Sequence, residues 1–170
     1  AKPDSQDLCF VPGGDYRKVL RERRPDVLVP GEIWDREAER VIGHHDGAAG
    51  FTRGQRRGLP AVGTPRYVAA VDGEGGRVEV ASREALLERE VVAGDVNWIE
   101  RPRPETGTVL RVHAQIRHAG AAEPAALEVL PGGHVRVLFD RGVFAAAPGQ
   151  ALVAYLGEAV LAGGTIEGSS

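Results

Sequence analysis

The single cysteine of the sequence, Cys9, lies between a polar run and a Pro-Gly-Gly turn that precedes a predicted helix. A helix N-terminus favours the thiolate, which is the reactive form of cysteine. The apolar neighbours Leu8 and Phe10 equally fit an inert buried thiol, because free cysteine is often a small core residue. The residues alone therefore leave two roles open for Cys9: a nucleophile or sulfur carrier, and a packing residue.

A glycine-rich segment with two adjacent arginines occupies residues 43–59, and it reads Gly43-x-His45-x-Gly47 and then Thr52-x-Gly54-Gln55-Arg56-Arg57-Gly58-Leu59. Glycines let backbone amides approach an anion, and the guanidinium groups add positive charge beside it. The segment lacks the Lys-Ser/Thr ending of a P-loop, so an RNA backbone suits it better than a nucleotide. Thr52, Gln55 and Arg56 are its candidate contact residues. The alternative is an ordinary loop whose arginines are only surface charge.

Two predicted strand ends carry polar side chains that suit RNA. Arg117 and His118 end a long strand, and Gln150 opens a later one. In a barrel, strand ends and loops form the rim where ligands meet the surface. A guanidinium, a stackable imidazole and an amide can contact phosphates and base edges. Without further support, the three would be ordinary rim residues.

Metal chemistry is not favoured by the spacing of the candidate ligands, which are His44, His45, Asp46, His113, His118 and His134. A metal site needs three or four converging ligands. The first three are adjacent in sequence, and the others are scattered over predicted strands. We therefore expect no metal site in this chain. The Gly-x-Ser-x-Gly, His-Glu-x-x-His and Cys-x-x-Cys motifs of other enzyme classes are also missing.

Composition limits the partners and the compartment. The formal net charge of −3 over 170 residues gives no general attraction to nucleic acid. One cysteine rules out an internal disulfide framework and favours a reducing, cytoplasmic location. No apolar run approaches the roughly 18 residues of a membrane span, so no membrane partner is expected. The chain has no methionine and begins directly on the cysteine motif, so we expect it to be the later part of a longer protein.

The elements that must position these groups are predicted to be mainly strands. One helix is expected over residues 15–24, and residues 25–59 are expected to be loop with short strands. A short helical turn is expected from Ser82 through Leu87. Glycine-rich turns separate the remaining strands, which are predicted at 67–71, 77–80, 108–118, 127–130, 134–139, 151–155 and 158–161.

Strand 108–118 alternates most clearly, with Leu110, Val112, Ala114 and Ile116 on one face and Arg111, His113, Gln115 and Arg117 on the other. Short strands at this spacing predict a small antiparallel barrel. The predicted fold class is mainly β with short helices. We expect a central β-rich domain at 26–81 and the barrel at 82–170, both preceded by a short segment at 1–25.

Taken together and in order, these motifs resemble the tRNA-specific 2-thiouridylases. The resemblance covers nearly the whole chain. It rests on the cysteine motif at 4–16, on the glycine-rich motif at 43–59, and on Asp95-Val96-Asn97-Trp98, Ile116-Arg117, Pro148-Gly149-Gln150 and Gly163-Gly164-Thr165-Ile166-Glu167. His118 stands where the family usually has tyrosine.

That resemblance implies a three-domain enzyme of which this chain is the C-terminal portion. Residues 1–25 would be the end of an α/β catalytic domain, with the helix as its remnant. The family's N-terminal adenylating domain binds ATP through a Ser-Gly-Gly-x-Asp-Ser loop, which this sequence does not contain. The family adenylates the wobble uridine of tRNA, and a cysteine persulfide then delivers sulfur to C2 to give 2-thiouridine.

The resemblance also implies roles for individual residues and partners. Cys9 takes the position of the persulfide cysteine, and a second cysteine outside this chain would close a disulfide with it. Arg117, His118 and Gln150 take the positions of tRNA contacts. The implied partners are tRNA, a protein that donates persulfide sulfur and the adenylating domain, without which we expect the chain to be inactive. The alternatives are a non-catalytic RNA-binding module that retains the fold, and a sulfur-relay protein.

Overall fold

The computed structural model describes residues 22–23, 28–117 and 120–169. The chain divides into two compact units, Ala1–Ser82 and Arg83–Ser170. Strands dominate both units, which confirms the mainly-β prediction. Of the predicted helix at 15–24, only Glu22 and Arg23 are among these residues, and both are helical. None of the helices in the described ranges is long and apolar enough to cross a membrane.

The first unit contains a four-stranded sheet in the order β2-β1-β4-β3. Its strands are β1 (Gly31–Asp35), β2 (Arg40–His45), β3 (Tyr67–Val71) and β4 (Val78–Ala81). β1 pairs antiparallel with β2 and parallel with β4. β3 and β4 form an antiparallel pair across the loop at 72–76, which confirms the predicted hairpin.

One face of this sheet carries a small apolar core. Its buried members are Ile33, Ala48, Val68, Val78 and Val80, and Ile42, Phe51 and Leu59 pack against them. The short 3-10 helix Ala48–Gly50 follows β2 and brings Phe51 to this core. The glycine-rich segment therefore lies over the sheet rather than projecting from it as an independent loop.

The second unit is a closed barrel in the order β10-β5-β8-β7-β6-β9. Its strands are β5 (Leu87–Trp98), β6 (Val109–Gln115), β7 (Glu123–Val129), β8 (Val135–Phe144), β9 (Ala151–Leu156) and β10 (Ala159–Ser169). Every pair of neighbours is antiparallel, including β9 with β10. This confirms the predicted antiparallel barrel.

Alternation along β6 places its apolar side chains inside the barrel, as predicted. Val112, Ala114 and Ile116 are buried in the barrel core, and Leu110 packs against it. Arg111 and His113 are exposed on the other face. A barrel strand with one face in the core and one in solvent requires this period of two.

Several details differ from the sequence prediction. The strand predicted at 108–118 is β6, which ends at Gln115, so Arg117 lies after the strand rather than within it. The strands predicted at 127–130, 134–139 and 158–161 are the longer β7, β8 and β10. The helical turn expected from Ser82 through Leu87 is a single 3-10 turn at Glu84–Leu86, and Leu87 begins the long strand β5. The sequence did not single out β5, whose pairing with β8 shifts register between Glu88 and Glu90. A bulge of this kind interrupts the alternation by which strands are recognised.

Candidate nucleic-acid interface

Arg117 follows strand β6 and is tied to the connection between β8 and β9. Its Nη2 atom donates a hydrogen bond to the carbonyl oxygen of Ala145 at 3.0 Å. Its Nε atom is buried and donates no hydrogen bond within the described part of the chain. The guanidinium is therefore held at one edge by the backbone while part of its donor capacity stays unused.

Gln150 lies at the other end of the same connection, immediately before β9. Its backbone N–H donates to Ala147 O at 3.2 Å, and its carbonyl oxygen accepts from Ile166 N at 2.8 Å. The side-chain Oε1 is buried and accepts no hydrogen bond from the described residues. The structure thus brings Arg117 and Gln150 to the two ends of one barrel connection, residues 145–150. His118 lies outside the described residues.

A cleft of about 450 Å³ opens beside Arg117 in the barrel unit. Its lining residues are Arg83, Ile116, Arg117, Gly120, Ala121, Glu123, Gly142, Val143 and Phe144. The guanidinium carbons of Arg83 and Arg117 lie over the ring of Phe144, at 4.4 Å and 5.4 Å from its centroid. The sequence analysis assigned no role to Arg83 or Phe144, because they are far apart in sequence and form no local motif.

Burial and neighbouring charges at this cleft change the pKa of Arg117. Burial lowers the pKa of the Arg117 guanidinium, the nearby Arg83 lowers it further, and Glu88 opposes both. Glu88 is only 7% exposed, and its Oε2 accepts a hydrogen bond from Ala146 N at 2.8 Å. Two cations therefore lie over one aromatic ring, and the carboxylate of Glu88 accepts a hydrogen bond from the backbone.

In the first unit, Gln55 stabilises the loop that contains Thr52 and Arg56. Its Oε1 accepts from Thr52 N at 3.2 Å, and its Nε2 donates to Arg57 O at 2.7 Å. The loop is also joined to β3, since Gly54 N donates to Val68 O and Val68 N donates to Gln55 O. Thr52 and Arg56 are exposed. Of the three candidate contact residues of this loop, Gln55 thus already uses its side-chain amide for hydrogen bonds within the loop.

Close packing explains the first glycine of the same motif. A Cβ atom on Gly43 would lie 2.6 Å from Pro60 Cγ, which is shorter than real contacts allow. His45 accepts a hydrogen bond on Nδ1 from Gly47 N at 3.1 Å, and its ring lies 5.2 Å from that of Phe51. These contacts show that the glycine-rich motif packs its own segment against the sheet.

Together with His44 and Asp46, His45 borders a small cleft of about 220 Å³. Within residues 22–23, 28–117 and 120–169, no three histidine, cysteine or carboxylate side chains converge as metal ligands. Cys9 lies outside the described residues.

Comparisons with known proteins match both units of the chain. Residues 17–82 match the family described as tRNA methyl transferase PRC-barrel domain, and residues 88–166 match the aminomethyltransferase beta-barrel domain. The tRNA-specific 2-thiouridylase MnmA of Paramagnetospirillum magneticum is 46% identical over 98% of this chain and 43% of its own length. The MnmA of Roseiflexus sp. is 47% identical over 97% of this chain and 44% of its own length.

A third relative, the tRNA-specific 2-thiouridylase MnmA of Rhodospirillum rubrum, is 42% identical over 91% of this chain and 41% of its own length. The chain thus spans less than half the length of the curated relatives that it matches. Relatives of one name thus match this chain along nearly its whole length, across both units. The chain belongs to the tRNA-specific 2-thiouridylase family.

Proposed function

We propose that this chain is the sulfur-carrying and tRNA-binding part of a tRNA 2-thiouridylase. The names of its relatives, which match it along almost its whole length, support this function. The structural observation that carries the tRNA-binding role is the placement of Arg117 and Gln150 at the two ends of one barrel connection. Each has a buried polar atom that the described residues leave without a hydrogen bond.

Buried polar groups without partners are unfavourable, and native proteins retain them at few places. A phosphate oxygen can accept from the guanidinium of Arg117, and a base or ribose hydroxyl can donate to Oε1 of Gln150. The proposed tRNA contacts of the barrel are therefore Arg117 and Gln150, with His118 beside them. In the first unit, the exposed side chains of Thr52 and Arg56 are the proposed contacts, and Gln55 holds their loop.

The proposed role of Cys9 is to carry the transferred sulfur as a persulfide. The terminal sulfur attacks C2 of the wobble uridine, whose C2 oxygen is adenylated beforehand, and AMP leaves with that oxygen. A second thiolate then attacks the sulfur of Cys9, which breaks the persulfide bond and leaves the outer sulfur on C2. The resulting disulfide takes up two electrons from an external thiol reductant before the next cycle.

Adenylation is not assigned to any residue of this chain. Its glycine-rich segment does not suit ATP, since Gly43 is needed for packing against Pro60 and Gln55 closes its own loop. The proposal therefore requires an ATP-binding domain and a persulfide donor protein as partners, with the chain inactive alone. We place the reaction in the cytoplasm, as the cysteine content predicts.

The test supplies the adenylating domain of a relative in trans, together with ATP, a cysteine desulfurase and tRNA. We expect 2-thiouridine in the digested tRNA by mass spectrometry with the wild-type chain and with the control Ser5→Ala, and none with Cys9→Ser. Full activity of Cys9→Ser would refute the sulfur-carrying role. tRNA binding without persulfide on Cys9 would indicate a non-catalytic RNA-binding module, and persulfide without tRNA binding would indicate a sulfur relay.

A further inference from the structure

The cleft beside Arg117 contains a second cation that the proposed tRNA contacts do not include. Arg83 is exposed, and its guanidinium carbon lies 4.4 Å from the centroid of the Phe144 ring. Neither Arg83 nor Arg117 forms an ion pair with a carboxylate in the described ranges of the chain. Other arginines of the barrel do form such pairs, for example the exposed Arg111 with Asp140 at 2.7 Å and the half-buried Arg136 with Glu128 at 3.0 Å.

Three separate elements meet at this cleft, and Ala145 joins them. Arg83 begins the 3-10 turn Glu84–Leu86, and Ala145 N donates to Leu86 O at 2.8 Å. The carbonyl of Ala145 accepts from Arg117, and its φ of 51° bends the chain directly after Phe144. A non-glycine residue in this conformation is strained, and such strain persists where the surrounding structure over-determines it. Ala145 therefore ties the Arg117 guanidinium to the 3-10 turn that Arg83 precedes.

An aromatic ring reduces the conformational freedom of a guanidinium that lies over its face. Because both guanidinium groups lie over the Phe144 ring, part of the entropy of ordering two long side chains is lost on folding rather than on binding. Like charges that are held together in this way repel each other until an anion lies between them. The depressed pKa of Arg117 is consistent with this repulsion, because Arg83 contributes to it.

Two carboxylates bear on the charge balance of the cleft. Glu88 is buried and accepts a hydrogen bond from the backbone of Ala146. Glu123 lines the cleft and is half-buried. Neither lies within ion-pair distance of Arg83 or Arg117, so the two guanidinium groups keep their capacity for an external anion.

We propose that Arg83 and Arg117 together bind one backbone phosphate of tRNA in this cleft, and that Phe144 is the positioning residue that orders both guanidinium groups. This inference rests on the proposed function. It adds Arg83 as a phosphate ligand and Phe144 as its support. A phosphodiester fits because arginine forks match phosphate oxygens, and because a cleft of about 450 Å³ also leaves room for an adjoining ribose.

The test measures binding of the full 170-residue chain to tRNA over a range of salt concentrations. We expect Arg83→Gln to weaken binding about tenfold at low salt, the scale of a hydrogen bond to a charged group. It should also reduce the slope of log K against log salt by about 0.7–0.9, the value for one phosphate contact. The matched control is Arg111→Gln, which makes the same charge change at an arginine paired with Asp140. Its binding should stay within about twofold of wild type.

Phe144 is tested with two variants that distinguish the effect of its aromatic ring from the effect of its apolar volume. Phe144→Leu should weaken binding and lower the salt slope, whereas Phe144→Tyr should restore both, since the ring is retained. If Arg83→Gln behaves like Arg111→Gln while the wild-type chain binds tRNA, the phosphate cleft is refuted and the proposed function stands. If the wild-type chain shows no salt-dependent tRNA binding, the tRNA-binding role fails and the cleft fails with it.

Discussion

Arg66 donates a hydrogen bond from Nε to the Oδ2 atom of Asp35 at 2.7 Å, and Asp35 is only 1% exposed. The other oxygen of the same carboxylate accepts from the backbone N–H groups of Glu37 and Ala38 at 3.0 Å and 3.1 Å. One buried carboxylate thus joins the turn after β1 to the segment that leads into β3. The sheet of the first unit depends on this charge being compensated.

Arg66→Ala should destabilise the first unit by about 3 kcal/mol, because it leaves a buried carboxylate without its cation. Urea unfolding followed by Trp34 fluorescence measures this, in a Trp98→Phe background that removes the tryptophan of the barrel. The control is Arg36→Ala, whose partner Glu79 is 2.6 Å away but whose side chain is 47% exposed. The control should change the free energy of unfolding by less than about 1 kcal/mol. Equal effects of the two variants would contradict the prediction.

The pKa of Asp35 predicts how the stability of the first unit depends on pH. Burial acts to raise this pKa, but the hydrogen bonds from Arg66 and from the backbone outweigh it, so the pKa lies below its ordinary value of 3.8. The stabilisation is therefore complete above about pH 4 and is lost as the pH falls through the lower folded-state pKa. The difference in unfolding free energy between wild type and Asp35→Asn should be constant from pH 7 to pH 5. It should shrink below pH 4, and a difference already lost at pH 6 would exclude this assignment.

Gly43→Ala should destabilise the first unit by about 1–3 kcal/mol, since the added methyl group meets Pro60 at 2.6 Å. The proline ring cannot rotate away, so the backbone of the glycine-rich segment must shift. Gly73→Ala is the matched control, because a Cβ atom there has no atom within 4 Å. The control should leave the free energy of unfolding nearly unchanged. Unfolding followed by Trp34 fluorescence distinguishes the two variants. Equal free energies of unfolding would show that residue 43 and Pro60 can move apart without cost.

Gln150→Met should leave the barrel as stable as wild type or up to about 1 kcal/mol more stable, because it removes a buried oxygen that accepts no hydrogen bond from the described residues. Binding to tRNA should nevertheless weaken, if Gln150 is a contact. Unfolding is followed by Trp98 fluorescence in a Trp34→Phe background. A loss of stability well above 1 kcal/mol would mean that the amide has a structural role.

The matched control for this variant is Gln115→Met. Nε2 of Gln115 donates to the carbonyl oxygens of Arg117 and Gly120 at 2.8 Å, and its Oε1 accepts from the Tyr155 hydroxyl at 3.0 Å. Its replacement should destabilise the barrel by about 2 kcal/mol, because the two carbonyl groups and the hydroxyl lose their partner. The same substitution is thus expected to have opposite consequences for stability at the two positions.

Local signals in the sequence were sufficient for the hairpins and for the clearest barrel strand. The hairpin of β9 and β10 was predictable because a tight hairpin turn favours glycine with positive φ, and Gly157 has a φ of 63°. The turn was predicted at Leu156-Gly157 but lies one residue later, at 157–158, because Leu156 is still part of β9. The alternation of β6 was predictable because one face of that strand is buried in the barrel core. The predicted strand at 67–71 has the observed bounds of β3, Tyr67–Val71.

Features that depend on distant residues had no such signal. The parallel pairing of β1 with β4 joins segments far apart in sequence, and no local pattern specifies a parallel partner. The platform of Phe144 beneath Arg83 and Arg117 arises only when three elements of the barrel meet. For the candidate site, sequence motifs predicted Arg117 and Gln150, whose roles stay predictions, and the structure was needed to find the residues around them.

The first and last strands of the barrel are neighbours, and Val91 of β5 pairs with Ser169 of β10. A ribosome must therefore release almost the entire second unit before this ring can close. Until then, β5 and β9 each lack one neighbour and offer open backbone to other chains. Pairing between strands so distant in sequence is slow to form. Newly made chains should accordingly depend on protection from aggregation during that interval, and the completed barrel should not.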